Sequence, residues 1–352
     1  MTRRQLTKTE AISAVYGGCI LGGGGGGWIY DGLEKADAIF EKGAPILATI
    51  DEFSKEDYAA CVALVGAPSA KNLYVDAPQL VKTIEMMQSL YEHPISAIIT
   101  NENGASTTIN GWLQAVETGL PFIDAPCNGR AHPIGSMGSL NLSEQADYTS
   151  VQTFAGGKGD YQVAGSVSAS LSLASDTVRA VSIQAGGMVG VCRNPVTIDY
   201  VEKNAAVGGI TQAIQLGEVF LAVPEGYERI EKVVEYLEGE IVLSGKVDQY
   251  ELRESGGLDI GLIQIGQTEI TIWNEYMTLE TKGKRVGTFP DLIMTFDTKT
   301  GRPLVSAEIK AGMDITVINV PKEKLLLSTT MSNQKLLKAV EDVINKKMIE
   351  IE

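Results

Sequence analysis

Apolar residues in the first half of the chain form short continuous runs that alternate with longer segments of helical spacing. The continuous runs predict buried strands at Pro45–Ile50, Cys61–Val65, Ile95–Thr100 and Pro121–Asp124. The longer segments predict helices at Pro78–Glu92 and Ala105–Thr118. Strands that are apolar throughout and are separated by helices are typical of a parallel sheet covered on both faces. We therefore predict an α/β N-terminal domain with a mainly parallel sheet.

A helix is predicted before the first of these strands. Thr7 and Glu10 have the spacing of a capping box, and one helical face is apolar over Ile12, Val15, Tyr16, Cys19 and Ile20. Six glycines, Gly22–Gly27, end this helix, and a second helix is predicted at Trp28–Phe40. The glycine run follows a helix rather than a strand, so it lacks the pattern of a phosphate-binding loop. We expect a tight structural or site-lining turn, with a nucleotide cradle as the alternative.

The pattern changes after about residue 150. Small residues over Asp160–Gln184 predict strands, and two helices are predicted at Ala205–Leu221 and Tyr227–Glu238. Strands follow at Glu240–Leu252, Asp259–Ile265, Glu269–Thr281 and Asp314–Val320, and an amphipathic helix at Met331–Met348. At 352 residues the chain is long enough for two domains. We predict an N-terminal domain over residues 1–163 and a β-rich α+β C-terminal domain over 164–352, packed closely together.

Charge and composition narrow the classes of function. The formal charge of −15 argues against nucleic acid and against an anionic membrane surface as partners. No apolar run approaches the roughly 18 residues of a membrane-spanning helix, and none resembles a signal peptide. The four cysteines are scattered, as expected for reduced thiols in a cytoplasm: Cys19, Cys61, Cys127 and Cys192. We expect a cytoplasmic homo-oligomer, with Cys19 and Cys61 as core residues.

Polar residues follow two of the predicted strands directly. Asn101, Glu102 and Asn103 come after Ile95–Thr100, where ligands gather in open α/β sheets. Their side chains could orient a polar ring or hold a metal. Alternatively, Asn103 or Ser106 caps the next helix.

The second strand-end segment, Asp124–Pro133, has the highest density of reactive groups. Asp124, Cys127 and His132 suit a three-ligand site for a divalent metal such as zinc, with a position left for water. Alternatively, Cys127 is a nucleophile with His132 as its base, or the segment is an ordered loop with an ion pair and a buried thiol. Arg130 suits a substrate carboxylate.

One candidate pair lies in the second domain. Asn274 and Glu275 interrupt an apolar strand, and polar residues in such a place require a reason. They either reach the site from the C-terminal domain or belong to an edge strand.

Six segments occur in a characteristic order along the chain: Tyr16–Gly27, Thr100–Gly104, Asp124–Pro133, Trp273–Glu275, Pro290–Ile293 and Thr300–Gly301. Together they resemble the S-methyl thiohydantoin desulfurase-like family, which is associated with hydantoin-utilisation genes. The resemblance spans nearly the whole chain, in an N-terminal and a C-terminal domain. It implies a small heterocyclic substrate and hydrolytic removal of sulfur from a thiohydantoin-type ring, which leaves a hydantoin.

The chemistry of such a reaction, and not the resemblance itself, suggests roles for the candidate residues, because a bound metal can activate water and stabilise a leaving thiolate. Asp124, Cys127 and His132 are expected to hold the metal, Glu102 to act as general base, and Arg130 with Asn103 to orient the substrate. Two alternatives differ in class. One is a non-catalytic accessory or binding subunit of a hydantoinase-type system; the other is a metal-free hydrolase with Cys127 as nucleophile.

Overall fold

A computed structural model describes residues 3–66, 70–255 and 258–349 of the protein. Its helices are α1 Lys8–Gly22, α2 Ile29–Lys42, α3 Ala77–Leu90, α4 Trp112–Thr118, α5 Leu171–Gln184, α6 Ile198–Asn204, α7 Gly209–Leu221, α8 Glu228–Leu237 and α9 Gln334–Ile344. The first eight strands are β1 Arg4–Gln5, β2 Ile46–Ala48, β3 Tyr58–Gly66, β4 Ile95–Thr100, β5 Phe122–Ile123, β6 Thr149–Gly156, β7 Val163–Ser170 and β8 Met188–Thr197. The later strands are β9 Glu240–Lys246, β10 Gln249–Ser255, β11 Leu258–Ile265, β12 Thr268–Trp273, β13 Glu275–Thr281, β14 Lys284–Thr288, β15 Leu292–Asp297, β16 Pro303–Leu304 and β17 Asp314–Val320.

The N-terminal domain is built on a mixed sheet. Within the described residues its strand order is β1-β2-β5-β4-β3-β8-β6-β7. Strands β2, β5, β4 and β3 are parallel to one another, as predicted for the first half of the chain. The antiparallel pairs involve β1 and the strands that follow residue 148. Parallel strands place their carboxyl ends at one edge, so the segments after β4 and β5 are neighbours.

The C-terminal part contains two antiparallel sheets, which confirms its predicted β-rich character. Their strand orders in the described part of the chain are β10-β11-β12-β13-β14 and β16-β15-β17-β9. Helices α7 and α8 pack with these strands in one hydrophobic core.

Helix α1 joins the cores of the two domains. Its first half packs in the core beneath the N-terminal sheet through Ala11, Ala14 and Val15. Its last turn, Cys19–Leu21, belongs to the core of the C-terminal sheets. The sequence predicted one apolar face for this helix, but the buried surface is wider than that face. The alanine, serine and glycine positions of the helix are buried as well. The predicted capping box of Thr7 and Glu10 is present.

Several boundaries differ from the sequence-based expectation. The helix predicted at Ala105–Thr118 begins only at Trp112, because the preceding residues form hydrogen-bonded turns against the glycine run. The region Asp160–Gln184 contains one strand and then α5, so the prediction of strands throughout was wrong. Its alternating small residues end at Ser170, and Leu171, Ala174 and Val178 then follow at helical spacing on a buried face.

No helix in the described ranges is both long and apolar enough to cross a membrane.

The contact between α1 and α7 depends on two glycines. A Cβ at Gly17 would overlap the backbone carbonyl of Ala213, and one at Gly217 would overlap that of Ser13. We expect Gly17→Ala to lower the free energy of unfolding by about 2–3 kcal/mol, although alanine favours helix formation, because the two helix backbones must move apart. Urea unfolding measures this, with Ser172→Ala at an exposed position of α5 as control. A variant as stable as the control would contradict the close packing of these helices.

Candidate functional site

The glycine run Gly22–Gly27 passes between the two domains and is hydrogen-bonded to both. The bonds join Tyr276 N to Gly23 O (2.8 Å), Ser306 N to Gly24 O (2.8 Å) and Ser106 N to Gly26 O (2.9 Å). In these bonds the run presents carbonyl oxygens, whereas a phosphate cradle presents backbone N–H groups. The arrangement favours the predicted site-lining turn over the nucleotide cradle.

Side chains are excluded from this run by what lies against it. A Cβ at Gly23 would overlap the Arg130 guanidinium, one at Gly25 the Glu275 carboxyl, and one at Gly26 the Cα of Gly104. Gly23, Gly24, Gly26 and Gly27 also have positive φ. The run therefore lies directly against Arg130 and Glu275, which are predicted site residues, and against Gly104, which follows the predicted site residue Asn103.

The two strand-end segments meet beside the glycine run. The Cys127 amide donates to the Thr100 carbonyl (2.8 Å), which aligns the second segment with the end of β4. Glu102 Oε2 lies 3.1 Å from His132 Nε2, and both side chains are buried. Neither ring nitrogen of His132 has a hydrogen-bond partner of suitable geometry among the described residues. The structure thus brings together a carboxyl and an imidazole from different loops.

Arg130 reaches from the N-terminal domain into the C-terminal domain. Its side chain is 1% exposed, donates from Nη1 to the carbonyls of Pro290 (3.0 Å) and Asp291, and stacks 4.5 Å from the Phe289 ring centroid. Its Nε and Nη2 atoms have no hydrogen-bond partner within the described part of the chain. Two donors of a buried guanidinium therefore remain for another group.

Of the pair Asn274 and Glu275, only the glutamate faces the site. Asn274 has φ +56°, and its Oδ1 accepts from the Asp259 amide (2.8 Å), so its side chain holds a bend between β12 and β13. Glu275 is 3% exposed and lies against Gly25, and its Oε2 has no hydrogen-bond partner among the residues described. The prediction that this pair reaches the site therefore fits the placement of Glu275 but not that of Asn274.

Burial dominates the electrostatics of the site. It raises the pKa of Glu102 to about 8, and it lowers the pKa of His132 to about 3, with the nearby charge of Arg193 acting in the same direction. Burial also raises the pKa of Glu275, which Arg130 opposes, and lowers the pKa of Arg130 to about 10. At neutral pH, Glu102 is therefore protonated, His132 neutral and Arg130 charged.

The two predicted asparagines make internal contacts. Asn103 is fully buried, and its Nδ2 donates to the Gly209 carbonyl (2.8 Å) at the start of α7. Asn101 Oδ1 accepts from Asn110 Nδ2 (3.3 Å). Asn103 thus positions the loop against α7 and makes no contact with Arg130 that would orient a ligand jointly with it.

Asp124 does not join Cys127 and His132. Its Oδ1 accepts from the amides of Ile210 (2.8 Å) and Thr211 (3.0 Å), and its Oδ2 from the Thr211 hydroxyl, so it caps the positive end of α7. No group of three or more His, Cys, Asp or Glu side chains is placed to hold a metal ion in the parts of the chain described. The donor set present does not fit the expected three-ligand metal site.

Cys127 is paired with another thiol. The neighbouring Cys61 thiol, together with burial, raises the pKa of Cys127 well above its usual value. The neighbouring Cys127 thiol, with the charge of Arg193, lowers the pKa of Cys61 to about 7. A nucleophile must be a thiolate, so the raised pKa of Cys127 argues against it as the nucleophile.

Sequence reasoning missed Arg193. This residue lies on β8 opposite Cys61, and its charge acts on Glu102, His132 and both thiols of the pair. The signal available was an arginine within the apolar run Met188–Thr197, but glycines and a proline obscured that strand.

Asp124→Ala separates the capping role from a metal role. Because three hydrogen bonds to a buried carboxylate would be lost, we expect the free energy of unfolding to fall by about 2 kcal/mol or more. Asp124→Asn, which keeps one acceptor oxygen, should lose less. Thermal unfolding measures the effect, and zinc content measured on the same samples should not change with either substitution. A loss of bound zinc without a loss of stability would contradict the capping role.

The raised pKa of Glu102 predicts a pH-dependent stability difference. The folded protein holds a proton up to about pH 8 that the unfolded chain releases near pH 4.5, so wild-type stability falls as pH rises through this window. Glu102→Gln cannot release this proton. Its free energy of unfolding relative to wild type should therefore rise between pH 5 and pH 8, by an amount on the order of several kcal/mol. The exposed Glu225→Gln should show no such trend in urea unfolding at matched pH values.

Comparison with known proteins places the chain in a family. Residues 9–164 match the family model described as S-Me-THD-like, N-terminal domain, and residues 169–333 match S-Me-THD-like, C-terminal domain. No curated protein matches the chain. An X-ray crystal structure of a protein from Chromobacterium violaceum is similar, with a TM-score of 0.72 and 19% identity over 96% of each chain; at that identity it shows the fold alone. The predicted domain boundary at 163/164 stays a prediction, since β7 and β8 continue the N-terminal sheet. The chain belongs to the S-methyl thiohydantoin desulfurase-like family.

Proposed function

We propose that this protein hydrolyses the carbon–sulfur bond of a thiohydantoin-type ring. The observation that carries the proposal is the buried contact between Glu102 and His132. The carboxyl of Glu102 acts electrostatically on Arg130 and Glu275, which carry donors and an acceptor without a hydrogen-bond partner among the described residues. The family name supports the substrate class, and buried titratable groups with shifted pKa values are typical of catalytic sites.

Ring recognition is assigned to Arg130 and Glu275. A hydantoin ring presents carbonyl oxygens next to ring N–H groups. The free Nε and Nη2 donors of Arg130 suit the carbonyl, and the free Oε2 of Glu275 suits the adjacent N–H. A site that hydrogen-bonds both discriminates strongly against rings that lack either group, because buried polar atoms would remain unpaired.

Glu102 is assigned the role of general base. Its ionised form accepts a proton from water while the water oxygen bonds to the ring carbon that carries sulfur. This attack moves the C=N π electrons of the ring carbon onto the ring nitrogen, which takes up the second proton of the water. The oxygen then forms the carbonyl as the carbon–sulfur bond breaks, sulfur leaves with the electron pair, and a proton returned by Glu102 completes the thiol. For an S-methyl substrate the products are a hydantoin and methanethiol, which balances one water consumed. His132, neutral and 3.1 Å away, positions the carboxyl.

We also propose that the protein works in a reducing cytoplasm. All four cysteines are free, and the neighbouring thiols of Cys61 and Cys127 are not joined as a disulfide. Reduced neighbouring thiols are typical of that compartment.

Glu102→Gln tests the assignment. We expect wild-type protein of measured metal content to release methanethiol and hydantoin from S-methyl thiohydantoin, followed by thiol titration and mass spectrometry. The rate should rise as pH passes through about 8, because the base form of Glu102 accumulates. Glu102→Gln should lower kcat by roughly 10²–10⁴-fold.

The exposed Glu225→Gln is the matched control and should retain the wild-type rate and pH profile. No release of thiol by wild-type protein from any thiohydantoin would falsify the proposed function. Full activity of Glu102→Gln would instead remove Glu102 from the mechanism while leaving the reaction in place.

A further inference from the structure

Arg193 occupies a position where a charged side chain is unusual. It lies within β8 of the eight-stranded sheet and is only 6% exposed. Its neighbours across the sheet are Cys61 on β3 and Gln152 on β6, which stand directly opposite it. Residues directly opposite on adjacent strands project from the same face, so the guanidinium, the thiol and the amide share that face.

Arg193 forms no ion pair with an aspartate or a glutamate in the ranges that the structure describes, and its Nε makes no hydrogen bond to any described residue. The Oε1 atom of Gln152 is likewise without a partner there. The acidic group on the same face as Arg193 is the Cys61 thiol, whose pKa the charge of Arg193 helps to lower. A buried guanidinium with an unused donor is costly unless a negatively charged group binds there, so Arg193 suits such a role.

The surroundings of Arg193 indicate which group that is. A Cβ built on Gly135, three residues after His132, would lie 3.6 Å from Arg193 Nη1, and the charge of Arg193 acts on both Glu102 and His132. Arg193 also stands opposite Cys61 in the β3–β8 register, and its charge acts on the thiols of Cys61 and Cys127. Arg193 therefore lies near both the proposed base and the two thiols.

We infer that Arg193 binds the departing sulfur anion. The inference rests on the proposed function and names the group that stabilises the negative charge formed when the carbon–sulfur bond breaks. The free Nε–H donates to the thiolate sulfur, which carries the electron pair of the broken bond until it takes the proton from Glu102.

The chemistry of these side chains suits sulfur. A guanidinium is more weakly hydrated than an ammonium, so it loses less solvation when it meets a large, polarisable anion. The thiols of Cys61 and Cys127 are themselves polarisable and are weak donors. In this assignment the guanidinium of Arg193 stabilises the leaving group, as a metal ion could do. Arg193 is then a catalytic residue, because it contacts the departing sulfur.

Leaving-group dependence tests this role. Arg193→Gln should lower kcat for an S-methyl thiohydantoin by at least 100-fold, because an alkyl thiolate leaves poorly without stabilisation. For an S-phenyl thiohydantoin the loss should be below 10-fold, because an aryl thiolate is a better leaving group. Arg193→Lys keeps the charge and should fall between wild type and Arg193→Gln. The exposed Arg253→Gln is the matched control and should leave both rates unchanged. Equal losses for both substrates would indicate a merely structural role and overturn the inference.

Anion binding provides a test that does not require turnover. Thiocyanate, a soft monoanion, should bind wild-type protein in calorimetric titration, and Arg193→Gln should weaken that binding at least 10-fold, with Arg253→Gln as control. Thermal unfolding shows whether each variant is folded. If Arg193→Gln is unfolded, Arg193→Lys replaces it in the titration. Unchanged thiocyanate affinity in a folded variant overturns the assignment of Arg193. If the wild-type protein shows no turnover but binds thiocyanate in a way that depends on Arg193, the proposed reaction is refuted and the anion site is retained.

Discussion

The structure depends on close packing around the backbone of Gly23–Gly27, which leaves no room for a side chain. Along Gly22–Gly27 the backbone runs against the Arg130 guanidinium, the Glu275 carboxyl and the Cα of Gly104. A Cβ at Gly25 would displace Glu275 of the C-terminal domain, and one at Gly23 or Gly26 would displace Arg130 or Gly104 of the N-terminal domain. Because the carbonyls of the run bond to both domains, the same six residues set the distance between the carboxyl of Glu275 and the loops that carry Glu102 and Arg130.

Several ionisable side chains are buried around the glycine run. Glu102, Glu275, Arg130 and Arg193 are each less than a tenth exposed, although isolated charges in a protein interior are strongly unfavourable. Protonation of Glu102 near neutral pH relieves part of this cost. Among the described residues, five of the eleven buried polar side-chain atoms without a hydrogen-bond partner belong to Arg130, His132 and Glu275. These residues lie where the domains meet, which is where ligands commonly bind.

The sequence was informative where one physical signal dominated. Strand Ile95–Thr100 and strand Asp314–Val320 were placed with their observed bounds, because each is a short apolar run. The convergence of the segments after β4 and β5 followed from parallel strands alone. Hydrogen-bond partners were not accessible in this way: Asp124 and Asn103 look equally suited to a ligand, yet both bond to the start of α7, more than 80 residues away. Cys61 looked like core, and only strand pairing places it opposite Arg193.

Helix α1 has a consequence for how the molecule unfolds. Family models divide the chain near residue 165, but α1 contributes to both hydrophobic cores, and the glycine run that follows it is bonded to both halves. A fragment that ended at that division would leave Cys19, Ile20 and Leu21 without their packing partners. The two domains are therefore distinct in architecture but share one cooperative unit, in which loss of either core removes the support of the other.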